Sequence, residues 1–574
     1  MRLLPLVSTA LLALHAPAAL AARQAPLAER TKQTGLPLTE AQQATALPYL
    51  ALSIRVDPAR KRISGEARYR IRAKAPLAQA QFDLDPRYRI SQVSVNGAAL
   101  AKARWRNDSG LLTIDLPAPL AANAEAEVAI TWAGVPFVAT NAPWDGGFVW
   151  ARTEQGQPWI ASAVQGEGCD MFWPCIDNPL SKIDLLDLAV TVPEPLVEAG
   201  NGKLVGEEHS TDHGRGWTTW RWQAKYPNNY GVTIQVGPYK VASRDYASRF
   251  GNTIPLKFWH LPGHEAGANK LLGELADYLD FFESTVGPYP FGDEKAGIAE
   301  TPHLGMEHQT INAYGNGFKP APEGYDWLLQ HEFSHEWFAN QETNKLDEEM
   351  WLHEGFGSYM QPLYLRWKAG ELAHHAALWD MRKKIVSKVP LVPPPGAPKP
   401  DYGDEEAGWG GDIYYKGAWI LHTLREQIGD AAFEKCLRLF VYGRDDPRPG
   451  NFVPVLRSTD DFEQTVEEVT GKDWTWFFDA YVRQAALPKL EAVREGATLR
   501  LHWQVESGAA FPLPVDVEVG GRTVTVPMTG GTGEIALGEA GAHYVLDPGG
   551  KLLRFDPAIA EWQAWTKEQK AKDE

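Results

Sequence analysis

Between Leu50 and Val56 every second residue is apolar: Leu50, Leu52, Ile54, Val56. Ala67, Tyr69, Ile71 and Ala73 then alternate with Arg68, Arg70 and Arg72. A period of two predicts half-buried strands, and Asn96-Gly97 after Val93 and Val95 marks a turn. Strand-like alternation runs past Ile234, so residues 46–245 read as a β-rich N-terminal domain, saddle-like in the resemblance below. The period then changes. Leu271, Leu272, Leu275, Leu279 and Phe282 recur at spacings of three and four, and helical patterns dominate from about Ala266 to about Ala486, within a second domain read as 246–486. One stretch interrupts them, 389–401, VPLVPPPGAPKPD. Proline removes donors and fixes φ, which predicts a stiff extended loop. Beyond Pro488, alternation at Leu499, Leu501 and Trp503 and at Val515, Val517 and Val519 predicts a small β-sandwich over 487–556. Residues 557–574 read as one polar helix. The fold class is multidomain α+β, without internal repeats.

The N-terminus has its own pattern. Arg2 precedes an apolar run to Leu14 and a small-residue end, Ala19-Leu20-Ala21-Ala22. That describes a signal peptide over 1–22, and export to a periplasm or extracellular space. The run is too short for a span, and no later stretch supplies one. Residues 23–45, polar and aperiodic, read as a tether. Cys169 and Cys175 would meet an oxidising compartment. Either they close a small loop and leave Cys436 over, or all three stay free and buried.

Composition narrows the classes. The chain has 574 residues, 44% hydrophobic and 22% charged, ordinary globular values that exclude a disordered or fibrous chain. A net charge of −17 gives no footprint for nucleic acid. The oligomeric state is left open.

The candidate chemistry lies in YDWLLQHEFSHEWFAN, 325–340. Leu328, His331, His335 and Phe338 are spaced to share one helical face, which places both imidazoles one turn apart and within reach of one ion. Glu332, between them, projects beside the metal, where a general base for a bound water belongs. Glu354 follows His335 after 18 intervening residues, in MWLHEGFGSY. That is room for a loop and a second helix offering a carboxylate. Two His and one Glu leave a fourth position open, as a catalytic zinc site requires.

Here the chain resembles the aminopeptidase N and leukotriene hydrolase family of gluzincins. His331 to His335, Trp337-Phe338 and Asn340 match its H-E-x-x-H-x-W-F-G-N, and Trp351-Leu352-x-Glu354-Gly355-Phe356 its W-L-N-E-G-F-A. Gly305-Met306-Glu307-His308 resembles G-A-M-E-N, with Leu304 and His308 as departures. Gln165-Gly166-Glu167 resembles Q-x-E, followed by Pro174-Cys175-Ile176-Asp177-Asn178-Pro179 for P-C-x-D-x-P. Tyr414-Tyr415-Lys416-Gly417 resembles Y-E-K-G. The likeness covers about residues 45 to 556.

The resemblance implies a β-rich saddle, a thermolysin-like catalytic domain and the small sandwich, with the relatives' large C-terminal helical domain missing or vestigial. It implies one Zn2+ on His331, His335 and Glu354, with Glu332 as base and Tyr414 as oxyanion donor, Tyr415 being the neighbouring risk. Glu307 and Glu167, with Gln165, would bind the substrate's α-amino group, and Gly305 and Met306 its backbone. The implied activity is hydrolysis of the N-terminal residue from peptides with a free N-terminus. A thermolysin-like endopeptidase and a catalytically decayed secreted binding protein are the alternatives. Three further expectations follow. Gln361, at a frequent carboxylate position, would orient His335. His308 would alter the rim of the first side-chain pocket. The proline-rich run would lie beside the cleft.

Overall fold

The alternation at Leu50–Val56 becomes part of a long strand, β1 (Thr45–Asp57), whose even positions are buried from Leu50 on. β1 pairs antiparallel with β2 (Arg62–Ala73), where Tyr69 and Ile71 are buried and the arginines face outward. On its other edge β1 pairs parallel with Leu185–Pro193. These strands lie in an eight-stranded sheet, which shares a core with a four-stranded and a three-stranded sheet. The computed structural model describes residues 24–397 and 408–573. The signal-like stretch 1–22 and residues 398–401 of the proline-rich run lie outside them.

Residues 24–45 are not a tether. Glu29–Lys32 forms a 3-10 turn, Arg30 pairs with buried Asp83 at 2.5 Å, and Thr31 donates to Asp170 at 2.7 Å. Thr39 and Gln42 close a capping box on Glu40–Gln43. The polar composition that reads as loose chain instead supplies partners for buried carboxylates of the β-rich part.

The second region opens on a sheet. β3 (Lys240–Ala247), β4 (Thr253–His260), β5 (Ala296–Glu300), β6 (Gly305–Met306) and β7 (Asn312–Tyr314) pair in the order β3-β4-β5-β7-β6, which leaves β6 on the edge. β5 is buried on both faces, so its alternation is absent and the strand is invisible to a period-two reading. α1 (Glu265–Thr285) packs over β3 and β4 with Leu271, Leu275, Leu279 and Phe282 inward. α2 (Trp327–Ser334), α3 (Trp351–Ala369), α4 (Glu371–Arg382) and α5 (Trp409–Ile428) follow.

Two three-stranded sheets make the sandwich. Its core is continuous with the helical one, because Phe511 stacks edge-on with Trp476, Tyr481 and Trp503. Pro557–Asp573 is helical. No helix among the described residues is long and apolar enough to cross a membrane.

Candidate metal centre and active site

α2 begins where Asp326 caps it, its side chain accepting from the Leu329 N–H at 3.0 Å. The same carboxylate accepts from Tyr314 of β7, at 2.6 Å, which ties helix to sheet. The helix ends at Ser334. His335 is its C-cap, and Phe338 lies beyond it, so the four residues expected on one helical face span a helix and the turn after it. His331 and His335 still converge, because the cap residue keeps right-handed helical angles. The His335 Nδ1 sits 2.9 Å from the Phe338 carbonyl, which orients the ring with Nε2 inward. Gln361 does not orient His335; its amide donates to the Trp327 carbonyl at 2.9 Å.

α3 brings Glu354 to the pair. Its Oε2 lies 3.3 Å from His331 Nε2 and 3.4 Å from His335 Nε2, and the two Nε2 atoms are 3.3 Å apart. Three donors held about 2.0–2.1 Å from a tetrahedral ion stand about 3.3 Å from one another. The triangle therefore fits Zn2+, and the soft-to-hard mix of two imidazoles and one carboxylate suits it. All three residues are buried. Burial works against the charge on Glu354, yet His335 and the contacts to both imidazoles hold its carboxyl well below the usual range.

Glu332 stands beside the triangle, buried, its carboxyl pushed well up by burial and then by Glu307. Gly305 makes room for it: a Cβ there would collide with Glu332 Oε1 and come 2.8 Å from Leu328 Cδ1. Tyr414, one turn into α5, places its ring 5.8 Å from the His331 ring. Burial first, then Glu354 and Glu332, push its phenol well up, so it is a proton donor. Tyr415 faces Lys384 instead.

Glu307 follows edge strand β6. Gln165 donates to its Oε1 at 2.7 Å and Tyr230 at 2.9 Å, while Asn340 holds its backbone carbonyl at 3.0 Å. Glu167 lies against Gly146, where a Cβ would strike its carboxylate, and its Oε2 is buried without a hydrogen-bond partner. Burial pushes both carboxyls up. The loop bearing Glu167 is tied down on both sides. Thr34 N–H donates to the Gly166 carbonyl at 3.1 Å, and the Cys169–Cys175 disulfide follows; Cys436 is free and buried.

The metal triangle, Glu332, Tyr414, Glu307, Glu167 and Gln165 line one cleft of about 990 Å³, together with Gly305 and Met306 of edge strand β6, a size suited to a small ligand. His308 is not on its rim. It is buried and faces Gln235 at 3.1 Å, because residues after β6 turn into the inter-domain core. Nor do 389–397 line the cleft; Leu391 and Val392 run along the Val482 carbonyl instead. Sequence reasoning missed Tyr230, which sits in an aperiodic PNNYG turn with no motif to mark it. It also missed Trp144 and Lys32, which line the cleft from a turn and from the 3-10 turn Glu29–Lys32.

Residues 324–481 match the sequence model described as the peptidase family M1 domain. Aminopeptidase N of Lactococcus lactis subsp. lactis is 25% identical over 394 residues, 62% of this chain and 41% of the relative. Aminopeptidase 2, mitochondrial, of Saccharomyces cerevisiae is 24% identical over 383 residues, 61% and 37%. These matches support the aminopeptidase N family of gluzincins, peptidase family M1, with the M1 domain itself matched over 324–481. The chain spans about two fifths of the length of these curated M1 relatives. The fold matches the crystal structure of an M1 zinc metallopeptidase from Deinococcus radiodurans at TM-score 0.64 and 25% identity, covering 80% of this chain and 97% of that one. A mutant form of that protein, bound to a Tyr-Ser-Ala substrate, matches at TM-score 0.65 and 24% identity, covering 80% and 98%. An M1 zinc centre is thus expected where the His331–His335–Glu354 triangle stands, and the donors present fit it.

Proposed function

We propose that the protein is a zinc-dependent aminopeptidase that removes the N-terminal residue from peptides. The observation that carries this reading is a single cleft holding both the metal triangle and two buried carboxylates, Glu307 and Glu167, one of them with an orphaned oxygen. A substrate ammonium needs such partners, and two of them fix its position and register. With the amine held there, the first peptide bond comes to the triad. Zinc bound there supplies a Lewis acid for a carbonyl and a water molecule, and a charge that favours ionised Glu332. Glu332 accepts a proton from the attacking water and returns it to the leaving amine. The Tyr414 O–H donates to the carbonyl oxygen as negative charge develops. The free edge of Gly305–Met306 pairs with the peptide backbone as an added strand. An endopeptidase would have no use for Glu307, held by Gln165 and Tyr230, and Glu167 as partners for an ammonium.

The partners are peptides with a free N-terminus. Export is part of the proposal, supported by the signal-like first 22 residues and by the Cys169–Cys175 disulfide.

The test compares an alanyl- or leucyl-anilide with its acetylated form. The wild type should cleave the free amine and leave the acetylated form almost untouched. Glu307→Ala should lose roughly 30- to 4,000-fold on the free amine, the cost of breaking a desolvated charge pair, with zinc retained. A wild-type ratio of kcat/KM near one would remove the aminopeptidase reading.

A further inference from the structure

The cleft is acidic. Besides the catalytic and amine-facing carboxylates, Glu323, Asp347 and Asp380 line it, against two lysines. Lys32 is paired with Glu29 at 2.5 Å, and Asp380 with Lys383 at 2.5 Å. Lys384 is different. It is exposed, lines the cleft, and has no ion-pair partner among the described residues; its Nζ stands 4.6 Å from the centre of the Tyr415 ring. A cation resting on an aromatic face keeps most of its charge available for an anion.

Its position is built. Lys384 occupies the turn after α4, and its N–H donates to the Met381 carbonyl at 2.9 Å. Two residues on, the Val386 and Ser387 N–H groups donate to the carboxylate of Asp412, at 2.8 and 2.6 Å. Asp412 is fully buried in the first turn of α5, the helix that carries Tyr414 and Tyr415. The turn bearing Lys384 and the helix bearing the two tyrosines are therefore one unit. Gly410 and Gly411 line the cleft beside them, and among the described residues a Cβ at Gly411 would meet only Tyr415, at 3.9 Å.

Three steps of 5.8, 6.3 and 4.6 Å lead from the His331 ring through Tyr414 and Tyr415 to Lys384 Nζ. An extended peptide, at about 3.3–3.6 Å per residue, covers that path in at most about five residues. We infer that Lys384, carried on Tyr415, binds the C-terminal carboxylate of short peptides, so that the preferred substrates are free acids of up to about six residues. The inference rests on the aminopeptidase reading: one end of the peptide meets Glu307 and Glu167, the other Lys384. Longer chains and C-terminal amides lose the second contact.

The test uses zinc-loaded full chain and trialanine as free acid, as C-terminal amide and as N-acetylated acid. Binding is measured by calorimetry on Glu332→Gln, and kcat/KM on the otherwise wild-type enzyme. One exposed ion pair predicts a preference for acid over amide of about 1.5- to 5-fold at low salt. That preference should shrink as salt rises through about 0.15 M. It should sit in KM, survive Lys384→Arg, fall to about one in Lys384→Gln and invert in Lys384→Glu. It should be absent for peptides of eight residues. A wild-type acid-to-amide ratio near one, or a ratio unchanged by Lys384→Gln, overturns the inference. Loss of the acetylated peptide alone, with acid and amide equal, leaves the aminopeptidase reading standing and removes Lys384. Equal handling of the acetylated peptide removes that reading first, and this inference with it.

Discussion

Tyr414 and Tyr415 are adjacent on one helix, and only the direction of each ring separates their roles. Tyr414 turns to His331, at 5.8 Å, while Tyr415 turns to Lys384. A phenol whose hydrogen bond forms mainly in the transition state contributes to kcat and little to KM. Tyr414→Phe should therefore lower kcat about 10²- to 10³-fold, and Tyr415→Phe less than about tenfold; steady-state kinetics on one anilide compares them. A larger loss at Tyr415 would exchange the two roles. Glu332→Gln should retain one zinc per chain by elemental analysis and lose about 10²- to 10⁴-fold in turnover, since a carboxamide accepts no proton from water. His335→Ala, by contrast, removes a corner of the triangle and should lower the zinc content itself.

Those side chains meet because α3 and α5 approach unusually closely. A Cβ at Gly355 would come 3.0 Å from Gly417 Cα and from the Ile413 carbonyl, and a Cβ at Gly417 2.8 Å from Gly355 Cα. Gly355 follows Glu354, and Gly417 lies one turn after Tyr414, so the contact sets the distance between a metal donor and the phenol. Both glycines have ordinary helical surroundings; it is space and not backbone freedom that requires them. Gly417→Ala should push the helices apart at a cost of about 1–3 kcal/mol. The loss should appear as a lower unfolding midpoint and, beyond mere destabilisation, as weaker zinc retention in a chelator titration. An unchanged zinc affinity would show that the spacing is set elsewhere.

Across the molecule, the segment 24–45 seals a buried group of acids, Asp83, Asp170 and Asp177, behind the Glu167 loop. Burial first, then Asp83, raises the Asp177 carboxyl to about 8. A carboxyl whose pKa is higher folded than unfolded contributes stability as the neutral acid. That contribution is complete below about pH 4, and it is lost as pH rises through about 8. Asp177→Asn stays neutral throughout and keeps an acceptor for the Thr34 hydroxyl and the Cys169 N–H. Relative to wild type, it should gain stability between pH 5 and 8, on the order of 1 kcal/mol per pH unit. Paired denaturation midpoints at pH 5, 6.5 and 8 measure this, and a constant difference would refute it.

The metal triad was readable from residue order alone. Spacings of four and nineteen positions predict His331 and His335 on one helix and Glu354 on the next; His335 is the cap of that helix, and its ring still converges on His331. The half-buried strands were equally plain, because one wet face imposes alternation. Three features needed the tertiary structure. β5 is buried on both faces and shows no period. The polar segment 24–45 looks like a tether until Asp83 and Asp170, far along the chain, supply its partners. The groups around the catalytic triad, namely Tyr230 on Glu307, the Phe338 carbonyl on His335 and Lys384 on Tyr415, come from loops with no sequence period. Local order determines which residues can form a helix or strand. Which of them share a cleft depends on contacts between distant segments, and a single chain carries no periodic trace of those.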